Sequence, residues 1–261
     1  MLANKLNYGD TIGVVGVANS LELHNRYEDF YRAEKFFESK GFKIKRGKYV
    51  LENYYGTAGT REQKAEDLMN MFKDEAVKAI ICLEGGQNCN TFIDLLDYDV
   101  IRQNPKIITG YSDVTVLLQT IYNKTGLVTF HGSTFVCFGG MMYLLGTEYL
   151  PDMKDNILLI ESYRTSPNEC QRRFAHLKNN MGCLIKSKVL LLVIIMICKK
   201  NGDVFPQMED ILLEYTKEYK FPIIKCNDFG HQIANGIIPI GVRCKIDSDN
   251  NKIEILDEFL N

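Results

Sequence analysis

Lys106-Ile-Ile-Thr-Gly-Tyr-Ser-Asp-Val-Thr-Val-Leu-Leu-Gln-Thr-Ile-Tyr122 is the stretch on which the reading of this chain turns. It reads as a short buried strand, an abrupt turn at Gly110-Tyr111-Ser112-Asp113, and an apolar-striped helix. A serine on a turn between strand and helix has its hydroxyl pushed out of the sheet edge. The N–H groups of the first helical turn then point at whatever that hydroxyl attacks. These are the mechanics of a nucleophile elbow, with Gly-Tyr-Ser-Asp in place of Gly-x-Ser-x-Gly. Taken alone, the segment has a simpler reading, in which Ser112 or Asp113 caps the helix.

Upstream, Thr11 to Val17 is nearly all apolar, as a strand buried in a parallel sheet is. Arg26 to Lys40 carries aromatic residues at helical spacing, and Gly41 stops it. Phe42 to Lys45 is a second strand. Thr60 to Phe72 is a helix, with Thr60 as its cap and Gln63 three residues on. Val77 to Leu83 is a third strand, and Glu84-Gly85-Gly86-Gln87-Asn88 is the loop at its carboxyl end, followed by a helix through Leu95. This alternation runs to Phe130 and predicts a parallel sheet with helices on both faces. Beyond Gly132 the pattern is mixed. Strands are expected at Leu158 to Ile160 and from Val189, helices at Pro167 to Lys178 and Phe205 to Tyr219, and a closing hairpin at Ile238 to Ile246 and Lys252 to Leu256. The expected fold class is α/β. An N-terminal three-layer parallel-sheet domain (residues 1–135) is followed by a smaller, shortened C-terminal α/β domain (140–261), with the boundary between Gly132 and Tyr143.

The composition narrows the functional classes. A formal net charge of −2 argues against nucleic acid or an anionic membrane as a partner. The longest apolar run, Val189 to Cys198, is about half of what a spanning helix needs. The N-terminus lacks the apolar core of a signal peptide. The eight cysteines show no Cys-x-x-Cys pair, so free thiols in a reducing cytoplasm are expected. A phosphate cradle is a third option for the Gly85-Gly86 loop, but Gly-x-Gly-x-x-Gly is absent and no P-loop lysine follows.

A serine nucleophile needs a base, and the base needs an orienting carboxylate. Four histidines are available: His24, His131, His176 and His231. His176 lies among Arg172, Arg173 and Lys178, on a solvated helix face. His24 precedes a helix and has no evident partner. His131 follows a strand end and could border a site. His231 lies in a loop flanked by glycine, just before a strand, where a side chain can face a cleft.

Four blocks in order, Gly9-Asp-Thr-Ile-Gly-Val, Glu84-Gly-Gly-Gln-Asn-Cys-Asn, Gly110-Tyr-Ser-Asp-Val-Thr, and Phe229-Gly-His with Ile238-Pro-Ile-Gly, resemble the LD-carboxypeptidases of peptidase family S66. That family includes muropeptide LD-carboxypeptidases and microcin C immunity hydrolases. The resemblance covers most of the chain, and it implies two α/β domains with the active site at their interface. At matching positions it implies Ser112 as nucleophile and His231 as general base. Glu161, in Leu158-Leu-Ile-Glu-Ser-Tyr, would orient the base, and the backbone N–H groups of Gly86 and Asp113 would form the oxyanion hole. It implies no cofactor, no metal and a homodimer.

The chain departs from the family after His131-Gly132. There, only Ser133 to Phe138 precede Gly139-Gly140, where relatives carry several tens of residues. Leu184 to Lys200 is also more apolar than the family pattern. The leading expectation is a cytoplasmic serine peptidase that removes a terminal D-amino acid from an L-configured residue of a murein tetrapeptide. The alternatives are a microcin C-type hydrolase of aminoacyl-nucleotide amides, whose substrate is a peptide-nucleotide, and a truncated, inactive remnant.

Overall fold

In a computed structural model of the 261-residue chain, the structure describes residues 1–132, 148–149, 156–162, 165–179, 189–194, 199–200, 203–204, 206–226, 236–247, 249–250 and 252–261. Two compact units are formed, one from Met1–Thr134 with Ile237–Asn261 and the other from Phe135–Gly236.

The first unit opens with β1 (Thr11–Val15), α1 (Tyr27–Ser39), β2 (Lys43–Arg46), α2 (Arg61–Lys73) and β3 (Val77–Cys82). It continues through α3 (Tyr98–Gln103), β4 (Ile107–Gly110), α4 (Val114–Thr125) and β5 (Thr129–His131). Thr60 caps α2 as its sequence predicts. Its hydroxyl accepts the Gln63 N–H (3.3 Å), while the Gln63 side chain accepts the Thr60 N–H (2.8 Å). The helix expected through Leu95 is instead two single turns, Cys89–Thr91 and Ile93–Leu95, each too short to extend.

The second unit contributes β6 (Ile157–Ser162), α5 (Pro167–Asn179) and β7 (Val189–Ile194). Then follow the two-residue strands β8 (Lys199–Lys200) and β9 (Asp203–Val204), α6 (Met208–Thr216) and β10 (Ile223–Cys226). Its three-stranded sheet, β10-β7-β6, is parallel throughout. Its core joins Leu158 and Ile160 of β6 to Phe174 and Leu177 of α5 and to Ile211 and Leu212 of α6. Pro167 opens α5, where no N–H partner is needed, and the Ser166 hydroxyl accepts the Glu169 N–H (3.3 Å).

The chain then returns to the first unit with β11 (Ile238–Ile240), β12 (Cys244–Asp247) and β13 (Lys252–Ile255). The large sheet has the order β11-β5-β4-β3-β1-β2, parallel except that β11 runs antiparallel to β5. The expected closing hairpin is thus shorter. Gly241, with φ +90°, ends β11, and only β12 and β13 pair with each other. Pro239, which has no N–H, is accommodated because β11 is an edge strand. The last residues also bond to the first, with Asn261 N–H donating to Ala3 C=O (2.9 Å) and Lys5 N–H to Asn261 C=O (3.1 Å). Residues 237–261 thus pack with residues 1–134. Among the described residues no helix is long and apolar enough to cross a membrane.

Candidate active site

β4 ends at Gly110, Tyr111 is buried at 1% exposure, and α4 begins at Val114, so only Tyr111, Ser112 and Asp113 make the turn. Ser112 has φ +67°, a left-handed backbone conformation that an L-residue with a Cβ adopts only at a cost of about 1–2 kcal/mol. It is one of three non-glycine residues with positive φ among those described, and it is buried where Asn25 and Tyr55 are not. Asp113 already has helical φ and ψ, and its side chain makes no capping bond to α4. The simple reading of Asp113 as a helix cap is therefore wrong.

The Asp113 carboxylate turns to the loop that follows β3. Its Oδ2 accepts the N–H groups of Asn88 (2.6 Å) and Cys89 (2.8 Å). Burial, at 1% exposure, raises its pKa above the usual aspartate range. The Lys64 ammonium, 2% exposed, donates to the Asn88 Oδ1 of the same loop (2.5 Å). Burial lowers the lysine's pKa, and the Asp113 charge opposes that shift.

The Gly85-Gly86 segment is held by the loop after β1. Asn19 N–H donates to Gly85 C=O (3.1 Å), and a Cβ on Gly86 would stand 2.6 Å from the Asn19 Oδ1. Only glycine allows that approach. Glu84, at the head of the loop, is buried and its Oε1 pairs with His24 Nδ1 (2.9 Å). His24 thus has a partner, sixty residues away, that its sequence neighbourhood does not reveal.

The elbow and the loop are brought together by the side chain of Asp113, so Ser112, Asp113 and the segment after Gly86 share one region of the first unit. His131 lies next to the turn. It is opposite Gly110 in the β4–β5 ladder, and its ring meets that of Tyr111 edge-on at 4.9 Å between centroids. Glu161 is the fifth residue of β6 in the second unit, 7% exposed. His176 is on the exposed side of α5, as expected. His231 lies outside the described residues, as do Ser133 to Gly140, where the shortened connection is expected.

Neither buried thiol near the loop competes as a nucleophile. Burial pushes Cys82 up to about 12 and Cys89 well above its ordinary value, which keeps both protonated. Among the described residues no three His, Cys, Asp or Glu side chains gather as a metal site.

Lys64 is the residue the sequence reading passed over. It shares the inward stripe of α2 with Leu68, Met71 and Phe72, all buried. A lysine at i with apolar residues at i+4, i+7 and i+8 was the available signal.

Several known proteins are similar to this chain. The microcin C7 self-immunity protein MccF of Escherichia coli is 26% identical over an alignment covering 100% of this chain and 97% of its own. That alignment runs over 342 positions, so a stretch of MccF has no counterpart among these 261 residues. The apo structure of MccF matches the fold with a TM-score of 0.89 at 24% identity over the full length of both chains. The "Probable murein peptide carboxypeptidase" of Bacillus subtilis is 41% identical over 49% of this chain and 39% of its own. The crystal structure of muramoyltetrapeptide carboxypeptidase from Oxalobacter formigenes matches with a TM-score of 0.82 at 19% identity, over 96% of this chain and 100% of that one. The LD-carboxypeptidase N-terminal domain matches residues 12–132 and the LD-carboxypeptidase C-terminal domain residues 134–246, and on these matches the chain belongs to the LD-carboxypeptidase family.

Proposed function

We propose that this chain is a serine-type carboxypeptidase that hydrolyses the bond between an L-configured residue and a terminal D-amino acid of a murein tetrapeptide. Ser112 Oγ attacks the carbonyl carbon as its proton passes to His231, and the oxyanion accepts the N–H groups of Gly86 and Asp113. The protonated His231, oriented by Glu161, gives its proton to the departing amine as the C–N bond breaks. A water, losing its proton to the same histidine, then cleaves the Ser112 ester. The observation that carries the reading is the buried, left-handed Ser112 between β4 and α4. Two relatives named for murein peptides, the Bacillus subtilis protein and the murein tetrapeptide carboxypeptidase of Pseudomonas aeruginosa, support the substrate class. The free cysteines Cys82, Cys89, Cys170, Cys226 and Cys244 support a reducing, cytoplasmic setting.

The second reading is a microcin C-type hydrolase cleaving an aminoacyl-nucleotide amide with the same triad. It is favoured by the end-to-end similarity to MccF. The deciding experiment supplies L-Ala-γ-D-Glu-L-Lys-D-Ala and an aminoacyl-nucleotide amide separately to the parent and to Ser112→Ala, with products read by mass spectrometry. D-alanine release by the parent alone supports the carboxypeptidase. Cleavage of the nucleotide conjugate alone transfers the assignment to the second reading. No turnover, together with no labelling of Ser112 by a serine-reactive phosphonate, leaves the inactive remnant.

A further inference from the structure

We propose that the side chain of Asp113 is a positioning group, which holds the loop after Gly86 in register with the Ser112 turn while Lys64 holds the Asn88 side chain of the same loop. The catalytic part of this inference rests on Ser112 and the Gly86 and Asp113 amides acting as proposed above.

Four observations point to it. An aspartate at a helix start ordinarily gives its carboxylate to its own helix. Asp113 gives none to α4 and spends both bonds of its Oδ2 on Asn88 and Cys89, more than twenty residues upstream. Both Asp113 and Lys64 are desolvated, at 1% and 2% exposure, in an arrangement where neutral groups of similar size would be less costly to bury. They act on one residue, Asp113 taking the backbone of Asn88 and Lys64 its side chain. Finally, Asp113 Oδ1 is buried with no hydrogen-bond partner among the described residues, a cost that the bonds of Oδ2 to the loop help to offset. Two buried charges are thus committed to fixing a loop whose third residue is Gly86.

The other end of the loop is held by Asn19 on Gly85 and by the close approach at Gly86. With residues 85, 86, 88 and 89 all restrained, the Gly86 amide has little freedom of direction. An oxyanion donor contributes about 10²–10³-fold to turnover only where it is pre-aimed, and a displacement of about 1 Å costs about 10²-fold. Asp113 therefore links both oxyanion donors, one through its own backbone and one through its carboxylate.

The test compares the parent with Asp113→Ala, which removes the acceptor of both N–H groups, and with Lys64→Met. It measures kcat and KM for D-alanine release from the tetrapeptide, the rate of phosphonate labelling at Ser112, and amide hydrogen exchange over residues 84–90. Asp113→Ala is expected to lower kcat about 10²-fold with KM changed less than about threefold. It should also slow labelling, and speed exchange at 84–90 about tenfold or more while β3 and β4 keep their protection. Lys64→Met should shift the same readouts the same way, by less. Unchanged kcat in Asp113→Ala, or unchanged exchange in the loop, overturns the inference. A parent that turns nothing over refutes the role of Ser112 instead, and the exchange comparison still decides whether the carboxylate holds the loop. If Asp113→Ala fails to fold, Asp113→Glu, which keeps a carboxylate but moves it by one methylene, carries the same comparison.

Discussion

Gly110 and Val114 stand so close that a Cβ on Gly110 would lie 2.4 Å from Val114 Cγ1 and 2.9 Å from its Cβ. Strand β4 therefore runs into the first residue of α4 with no room for a side chain, and that contact sets how tight the Ser112 turn is. Gly110→Ala is expected to lower stability by about 1–3 kcal/mol, the usual cost of forcing atoms into a filled core. Adding Val114→Ala should recover part of the loss, because the two substitutions share one contact. Urea unfolding of the single and double variants checks this, and strict additivity would contradict it.

Ser112 occupies left-handed backbone, so its Cβ is itself a source of strain. Ser112→Ala keeps that Cβ and Ser112→Gly removes it. Both should abolish turnover, but the glycine variant should be more stable than the alanine variant by about 1–2 kcal/mol. The ordinary expectation is the reverse, since glycine loosens the unfolded chain. Equal stabilities, or a more stable alanine variant, would mean that the turn is unstrained.

The elbow and the parallel sheet were legible because each is written in adjacent residues. Lys106 to Tyr122 contains a strand, a turn and a helix whose periods change within a few positions, and Thr60 with Gln63 announces the start of α2. The groups around Gly86 were not legible, because each contact joins distant parts of the chain: His24 with Glu84, Lys64 with Asn88, Asp113 with Cys89. Local pattern says which face of α2 is buried, but not that a lysine on that face meets an asparagine beyond the next strand. The fate of β11 was hidden for the same reason. Ile238-Pro-Ile reads equally well as half of a local hairpin or as an edge strand on β5, and only long-range pairing separates the two.

Gly86 tests the proposed oxyanion hole directly. A Cβ there would lie 2.6 Å from Asn19 Oδ1 and 2.9 Å from Ala18 Cβ, so the loop or the segment at Ala18-Asn19 must shift for alanine to fit. Gly86→Ala is expected to lower kcat by about 10²-fold with a smaller change in KM, since the displaced donor acts in the transition state. Asn19→Gly in the same chain removes the nearest obstacle and should restore part of the rate. Steady-state kinetics on the tetrapeptide reads both variants, and an unaffected Gly86→Ala would remove this amide from the site.

Lys106, 7% exposed, sits beneath the end of α2, where its ammonium donates to Met71 C=O (2.9 Å) and to Asp74 C=O. Burial lowers its pKa to about 8, with Lys78 and Lys45 adding to the shift and Asp74 and Glu75 opposing it. In the unfolded chain the lysine keeps its ordinary value of 10.5. Between these limits the unfolded state carries a proton that the folded state has released, so the contribution of Lys106 to stability rises with pH across that window. Below about pH 8 both states are protonated and the cost of burying the charge is constant. Lys106→Met has no such group, and its stability relative to the parent should fall by about 1–3 kcal/mol between pH 7.5 and 10.5. Urea unfolding of both proteins at a series of pH values measures the difference, in which titrations common to the two cancel. A difference that is flat with pH, or that narrows as pH rises, would show that the two helix-end carbonyls hold Lys106 charged through the whole range.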